Sequence, residues 1–226
     1  MPFLDLLDRL AEVRQRISEA VRRGGHGQEV RIIAVTKTHG PDAVAAAWNA
    51  GLEDVGENRI QEALGKMAAG SPPVRWHLIG HLQRNKVKSA DGFFLLHSID
   101  STRLAETVDA HATASGRARA ALIQVNVVGE ESKGGFDLAG LPAVADEIAA
   151  MPGIDVRGVM TMAPYDASPE VLHRVFGGAR AARQLLLDRG FEGRELSMGM
   201  SGDYEVAVEE GATMIRLGTV LFGERT

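Results

Sequence analysis

Eight short apolar runs recur along this chain, most of them separated by stretches of helical period, and that alternation constrains the fold more than any other feature. The first run, Val30-Arg31-Ile32-Ile33-Ala34-Val35, is β-branched and short, as in strands buried on both faces of a parallel sheet. Strand-like runs follow at Asp54-Val55, Trp76 to Ile79, Phe93 to His97, Ala121 to Val127, Asp155 to Met160, Glu195 to Met198 and Met214 to Leu217. Between Leu4 and Arg22 the residues Leu6, Leu10, Val13, Ile17 and Val21 recur at helical spacing, and Gly24-Gly25 stops that helix. Pro41 and Asp42 open an alanine-rich helix that Gly51 closes, and Leu172, Val175, Phe176, Ala179 and Leu186 mark a longer one. The expectation is a single (β/α)8 TIM-type barrel with an additional N-terminal helix, one domain over residues 1–226. An open doubly wound sheet gives the same string, and periodicity alone does not separate the two.

Composition narrows the function classes. A net charge of −5 argues against a nucleic-acid binder, which needs a basic face. With no cysteine, disulfide frameworks, thiolate metal sites and cysteine nucleophiles are excluded. The opening Met1-Pro2-Phe3-Leu4-Asp5 is unlike a signal peptide, and no apolar run approaches the ~20 residues that span a bilayer, so no membrane is expected and a cytoplasmic protein is.

Polar residues cluster after the apolar runs: Lys37-Thr38-His39, Gly56-Glu57-Asn58-Arg59, Gly80-His81-Leu82-Gln83, His97-Ser98-Ile99-Asp100, Asn126 to Gly135, Met162-Ala163-Pro164, Met198 to Asp203 and Gly218-Thr219. In a barrel all these segments meet at the C-terminal rim, where active sites lie.

Lys37 is the sharpest candidate. A lysine ending a buried strand can lose its charge by desolvation, and the neutral amine can form an imine with an aldehyde cofactor. The chain has five lysines against twenty arginines, so lysine here is not a compositional accident; many strand-end lysines nevertheless only reach for water. Ser201-Gly202 follows a strand and suits the start of a helix through Val206 to Val208, where small residues let N–H groups and a hydroxyl approach a phosphate, or simply cap the helix. Arg216 lies inside an apolar strand and requires a partner, either a structural carboxylate or the ring nitrogen of a pyridine. Gly218 and Thr219 at the same strand end could donate N–H groups to a phosphate. His77 could stack on a ring at the barrel mouth or be a satisfied core histidine; Asn58 could bond a phenolate oxygen or cap the next helix. His77 and His81 are four apart, but Gly80 interrupts any helix and no acidic third ligand is near, so no metal site is expected.

Read together, Ala34 to Thr38, Gly56 to Glu62, Trp76 to Lys86, Val125 to Gly135, Gly158 to Pro164, Leu196 to Gly202 and Ile215 to Gly223 resemble the pyridoxal phosphate homeostasis protein family, from the first strand to the last. That family is similar to the N-terminal barrel domain of bacterial alanine racemase and eukaryotic ornithine decarboxylase. The resemblance implies pyridoxal 5'-phosphate as cofactor, Lys37 as the imine-forming residue and Arg216 facing the pyridine nitrogen. It implies Ser201, Gly218 and Thr219 on the phosphate, with ring contacts from Asn58 and His77. Gly40 before Pro41 and Gly134-Gly135 after Lys133 depart from the pattern without touching these positions.

The resemblance also separates two functions. Racemases and decarboxylases of this fold carry a second, β-rich domain, and this chain ends directly after the last barrel strand. A racemase needs two bases, and only Lys37 is evident; an arginine at the ring nitrogen weakens the cofactor as an electron sink. The expectation is a non-catalytic carrier that passes the cofactor to apo-enzymes, as a monomer, with an amino-acid racemase as the alternative. A barrel that binds a phosphate ester without an imine is a third, weaker reading. Lys133, in a glycine-flanked loop at the same rim, is a candidate for a second, transient imine during handover.

Overall fold

The computed structural model describes residues 3–130 and 134–223. Eight strands, β1 (Arg31–Val35), β2 (Asp54–Glu57), β3 (Arg75–Leu78), β4 (Leu95–Ile99), β5 (Arg119–Gln124), β6 (Ile154–Met160), β7 (Glu195–Ser197) and β8 (Met214–Leu217), close into a barrel in chain order. Every neighbouring pair is parallel, and β8 returns to β1 with Arg31 opposite Met214 and Ala34 opposite Leu217. That last pairing removes the free edges an open sheet would have, and it decides the alternative that periodicity leaves undecided.

Helices α1 (Leu6–Gly24), α2 (Pro41–Asn49), α3 (Ile60–Ala68), α4 (Thr102–Ser115), α5 (Leu141–Ala149), α6 (Pro169–Asp188), α7 (Tyr204–Glu209) and α8 (Thr219–Phe222) surround the sheet, and a 3-10 segment, Arg84–Ala90, takes the helical place after β3. α1 is the additional N-terminal helix. Its stripe of Leu6, Leu10, Val13, Ile17 and Ala20 is buried, it packs on α7 and α8, and it ends as Gly25 turns left-handed at φ 70°. Among the described residues, no helix is long and apolar enough to cross a membrane.

Most apolar burial lies between sheet and helices, where Leu78, Leu96, Ile123, Val159, Leu196 and Ile215 meet Leu104, Leu141, Phe176 and Leu186. Each large side chain buried there contributes about 1.5–3 kcal/mol. The barrel interior is different. Ile33, Leu95, Leu122, Met160 and Met214 form its buried apolar cluster among the described residues, and strand alternation sends polar residues into the same space.

Several boundaries differ from the sequence reading. β4 starts at Leu95 and continues through His97 and Ser98 to Ile99, so these two residues are buried within the strand instead of following it. Gly56 and Glu57 likewise belong to β2. The helix expected to start at Ser201-Gly202 begins at Tyr204, with Asp203 at its N-cap position. There Asp203 accepts a bond from the Met200 N–H at 2.5 Å, which closes a turn before the helix can start.

Candidate functional site at the C-terminal mouth

The strand alternation that places Ile33 and Val35 inside β1 carries on to Lys37, two residues past the strand end and half-buried at the rim. Its position is fixed from both sides. Thr36 is fully buried; its hydroxyl donates to Glu57 Oε1 at 2.5 Å and its carbonyl accepts from Lys66 Nζ at 2.7 Å. Thr38 stands at φ 69°, a costly conformation for a β-branched residue, and its N–H donates to Glu62 Oε1 at 2.5 Å. Lys66 links the two carboxylates, at 2.6 Å to Glu57 and 3.0 Å to Glu62. Burial pushes the Glu57 carboxyl up, against the bonds from Lys66 and Thr36. At half-exposed Glu62 burial acts in the same sense, but Lys66 and the Thr38 N–H outweigh it and hold the group down. Sequence reasoning missed this clamp; its only trace was the four-residue spacing of Glu62 and Lys66 on one helix face.

Arg216, in β8 and 4% exposed, donates from one terminal nitrogen to Ser197 Oγ at 2.6 Å and from the other to the Thr161 carbonyl at 3.0 Å. Neither partner is a carboxylate, so the structural ion pair is not what satisfies it. Burial lowers its pKa to about 10, with Asp203 pulling the other way, so it stays a cation at neutral pH. Two of its five N–H donors are thereby used.

The Ser201 hydroxyl accepts from the Val220 N–H of α8 at 3.4 Å, which joins the loop after β7 to the end of β8. Gly199, with φ 89° and its carbonyl bonded to the Arg216 N–H, turns the chain so that this approach is possible. The N–H groups of Ser201, Gly202, Gly218 and Thr219 take no backbone carbonyl among the described residues, and the Ser201–Val220 bond ties the two loops that carry them together.

Asn58 follows β2 at the rim and is half-buried; helix α3 begins after Arg59 without a side-chain cap, so capping is not the role of Asn58. A Cβ at Gly80 would collide with the Asn58 backbone, so only glycine lets the two rim loops approach so closely. His77 lies one layer lower, opposite Gly56, with no exposed surface. Its Nε2 bonds Asp54 Oδ1 at 2.8 Å and its Nδ1 bonds His97 Nε2 at 2.9 Å, so both ring nitrogens are engaged within the barrel. His97 continues to Ser197 Oγ at 2.9 Å. Burial lowers the pKa of His77, and lowers that of His97 well below the ordinary value with the His77 and Arg216 charges adding to it. At Asp54 burial alone would raise the carboxyl, but the bonds from His77 and Arg75 hold it at about 2. Lys133 falls outside the described residues. Among the described residues, no three His, Asp or Glu side chains are grouped to hold a metal ion.

The chain thus has a closed parallel barrel that carries a lysine at its C-terminal rim, a buried guanidinium in its last strand and two linked loops with four N–H groups that take no backbone carbonyl among the described residues. It belongs to the alanine racemase N-terminal domain family, whose sequence signature it matches over residues 9–226. Within that family its similarity runs to pyridoxal phosphate homeostasis proteins, such as that of Aquifex aeolicus, 40% identical over 98% of this chain and 99% of the other. PipY of Synechococcus elongatus, solved with PLP bound, is 37% identical and superposes with a TM-score of 0.85 over 96% of this chain and all of PipY. Alanine racemase from Corynebacterium glutamicum, at 18% identity, shares the fold with a TM-score of 0.73 over 97% of this chain and 61% of its own.

Proposed function

We propose that this protein binds pyridoxal 5'-phosphate at the C-terminal mouth as an imine on Lys37, and serves intracellular homeostasis of the cofactor by passing it to apo-enzymes without turning over amino acids. In this reading it works as a monomer in the cytoplasm. The observation that carries the reading is Arg216: a buried cation hydrogen-bonded to no carboxylate among the described residues, below the same mouth as Lys37 and the N–H groups around Ser201.

The residues present fit the group. A pyridine nitrogen is a neutral acceptor, which suits the remaining donors of Arg216, and a phosphate suits the N–H groups of Ser201, Gly202, Gly218 and Thr219 with the Ser201 hydroxyl. In this reading Asn58 meets a ring hydroxyl. In the same reading His77, with both ring nitrogens bonded within the barrel, contributes a further ring contact. When bound, the cofactor supplies an aldehyde for the lysine and a ring able to withdraw electrons. A guanidinium at the ring nitrogen donates to it and keeps it unprotonated, which weakens that withdrawal and favours holding over turnover.

The test is the visible absorbance of the protein incubated with pyridoxal phosphate, for the parent and for Lys37→Ala. An imine band in the parent and none in the variant is expected; no band in either overturns the reading. Incubation with a panel of amino acids in deuterated water is expected to leave Cα–H unexchanged. Exchange that Lys37→Ala abolishes would move the protein to the racemase class.

A further inference from the structure

A single file of hydrogen bonds crosses the barrel interior from one mouth to the other: Arg216 to Ser197 at 2.6 Å, Ser197 to His97 at 2.9 Å, His97 to His77 at 2.9 Å and His77 to Asp54 at 2.8 Å. All five side chains are at most 4% exposed. At the far end Asp54 is gripped by Arg75 through two bonds, of 2.8 and 2.7 Å, with Arg31 at 3.8 Å.

The two ends settle the direction of every bond between them. A guanidinium has no acceptor, and an ion-paired carboxylate has no donor. His77 must therefore carry its proton on Nε2 to reach Asp54, which leaves Nδ1 as an acceptor for His97 Nε2–H. His97 Nδ1 is then an acceptor too, and only the Ser197 hydroxyl can fill it. With its proton committed there, Ser197 Oγ presents lone pairs alone to Arg216. All protons point toward Asp54.

We propose that Asp54, at the opposite mouth, is a positioning residue for the cofactor: by fixing the direction of the file through His77, His97 and Ser197, it holds the Arg216 guanidinium in one orientation beneath the pyridine nitrogen. This rests on the reading that Arg216 faces that nitrogen. Without the carboxylate, His77 can shift its proton to Nδ1. His97 must then shift to Nδ1 as well and donate to Ser197, whose own proton is displaced onto the side that meets Arg216.

The experiment is nitrogen-15 NMR of the histidine rings, with and without pyridoxal phosphate, alongside the imine spectrum. In the parent, His77 and His97 are expected to carry their protons on Nε2 in both states. Asp54→Ala is expected to move the His97 proton to Nδ1, shift the imine band and weaken cofactor retention roughly tenfold, the scale of one disturbed bond to a charged group. Asp54→Asn keeps an oxygen acceptor toward His77 and is expected to restore both signals. Ser197→Ala leaves the Asp54 mouth intact and is expected to shift the imine band in the same way, which keeps the test decisive if Asp54→Ala does not fold. An Nδ1 proton on either histidine of the parent, or an unmoved imine band in both alanine variants, overturns the proposal. A parent without any imine band overturns the cofactor reading and the role at the ring nitrogen with it, while the tautomers of the cofactor-free protein still judge the file itself.

Discussion

The two mouths of the barrel use charge in opposite ways. At the N-terminal mouth Arg31, Glu53, Asp54, Arg75 and Glu195 pair among themselves, so each ion meets its complement within the protein. At the C-terminal mouth Arg216 meets a hydroxyl and a carbonyl, and the N–H groups of Ser201, Gly202, Gly218 and Thr219 have no backbone acceptor among the described residues. A mouth that balances itself serves the fold. One that leaves a buried cation beside open donors suits the phosphate and ring nitrogen of the ligand proposed above.

The comparison can be broken first at the clamp beneath the C-terminal mouth. Lys66→Ala leaves buried Glu57 without its cation, and a loss of about 3–5 kcal/mol in denaturant unfolding is expected. A loss below 1 kcal/mol would mean that the clamp is ornamental. Next is Arg216→Met. Cofactor retention is expected to weaken by about 2–3 kcal/mol in equilibrium dialysis, while the melting temperature of the cofactor-free protein holds or rises, because a costly buried charge is gone. A lower melting temperature would make Arg216 a structural residue and level the two mouths.

Acid sharpens the contrast from the other side. Asp54, His77 and His97 all have folded pKa values below their unfolded ones, so each favours the folded state above its unfolded pKa and loses that advantage as pH falls through the folded one. Stability should therefore decline from about pH 6.5 toward pH 2, and Asp54 alone should account for roughly 2 kcal/mol of it. Unfolding free energies measured across that window, for the parent and Asp54→Asn, would check it; parallel curves would remove Asp54 as the source. The smallest effect expected is that of Ser201→Ala, about 1 kcal/mol in cofactor retention with no change in unfolding.

Much of this was legible in the chain. The eight runs carried their strand identity in short apolar stretches alternating with helical ones, and Lys37, Arg216 and Ser201 stood out because each followed or interrupted an apolar run. Closure was not legible, because it depends on the pairing of Ile33 with Arg216, far apart in sequence. The file was not legible either. His97 and Ser197 look like polar residues at strand ends, and only the alternation of buried strands aims both into one interior. Thr38 hides its left-handed backbone behind an ordinary residue name, since the strain comes from partners on α3. His77 was read as a ring contact or a core residue, and its bonds to Asp54 and His97 across the interior were not legible.

The meeting of β1 and β8 also bears on how the chain reaches its native state. Lys37 follows the first strand and Arg216 lies in the last, and only barrel closure makes those strands neighbours. Long-range closure of this kind is slow, because the entropy of the intervening chain is lost before the contact is gained. If the ligand is held as proposed, no partly folded intermediate owns a complete site for it. Capture of the ligand would then select the finished barrel over its precursors and draw the folding equilibrium toward it by mass action.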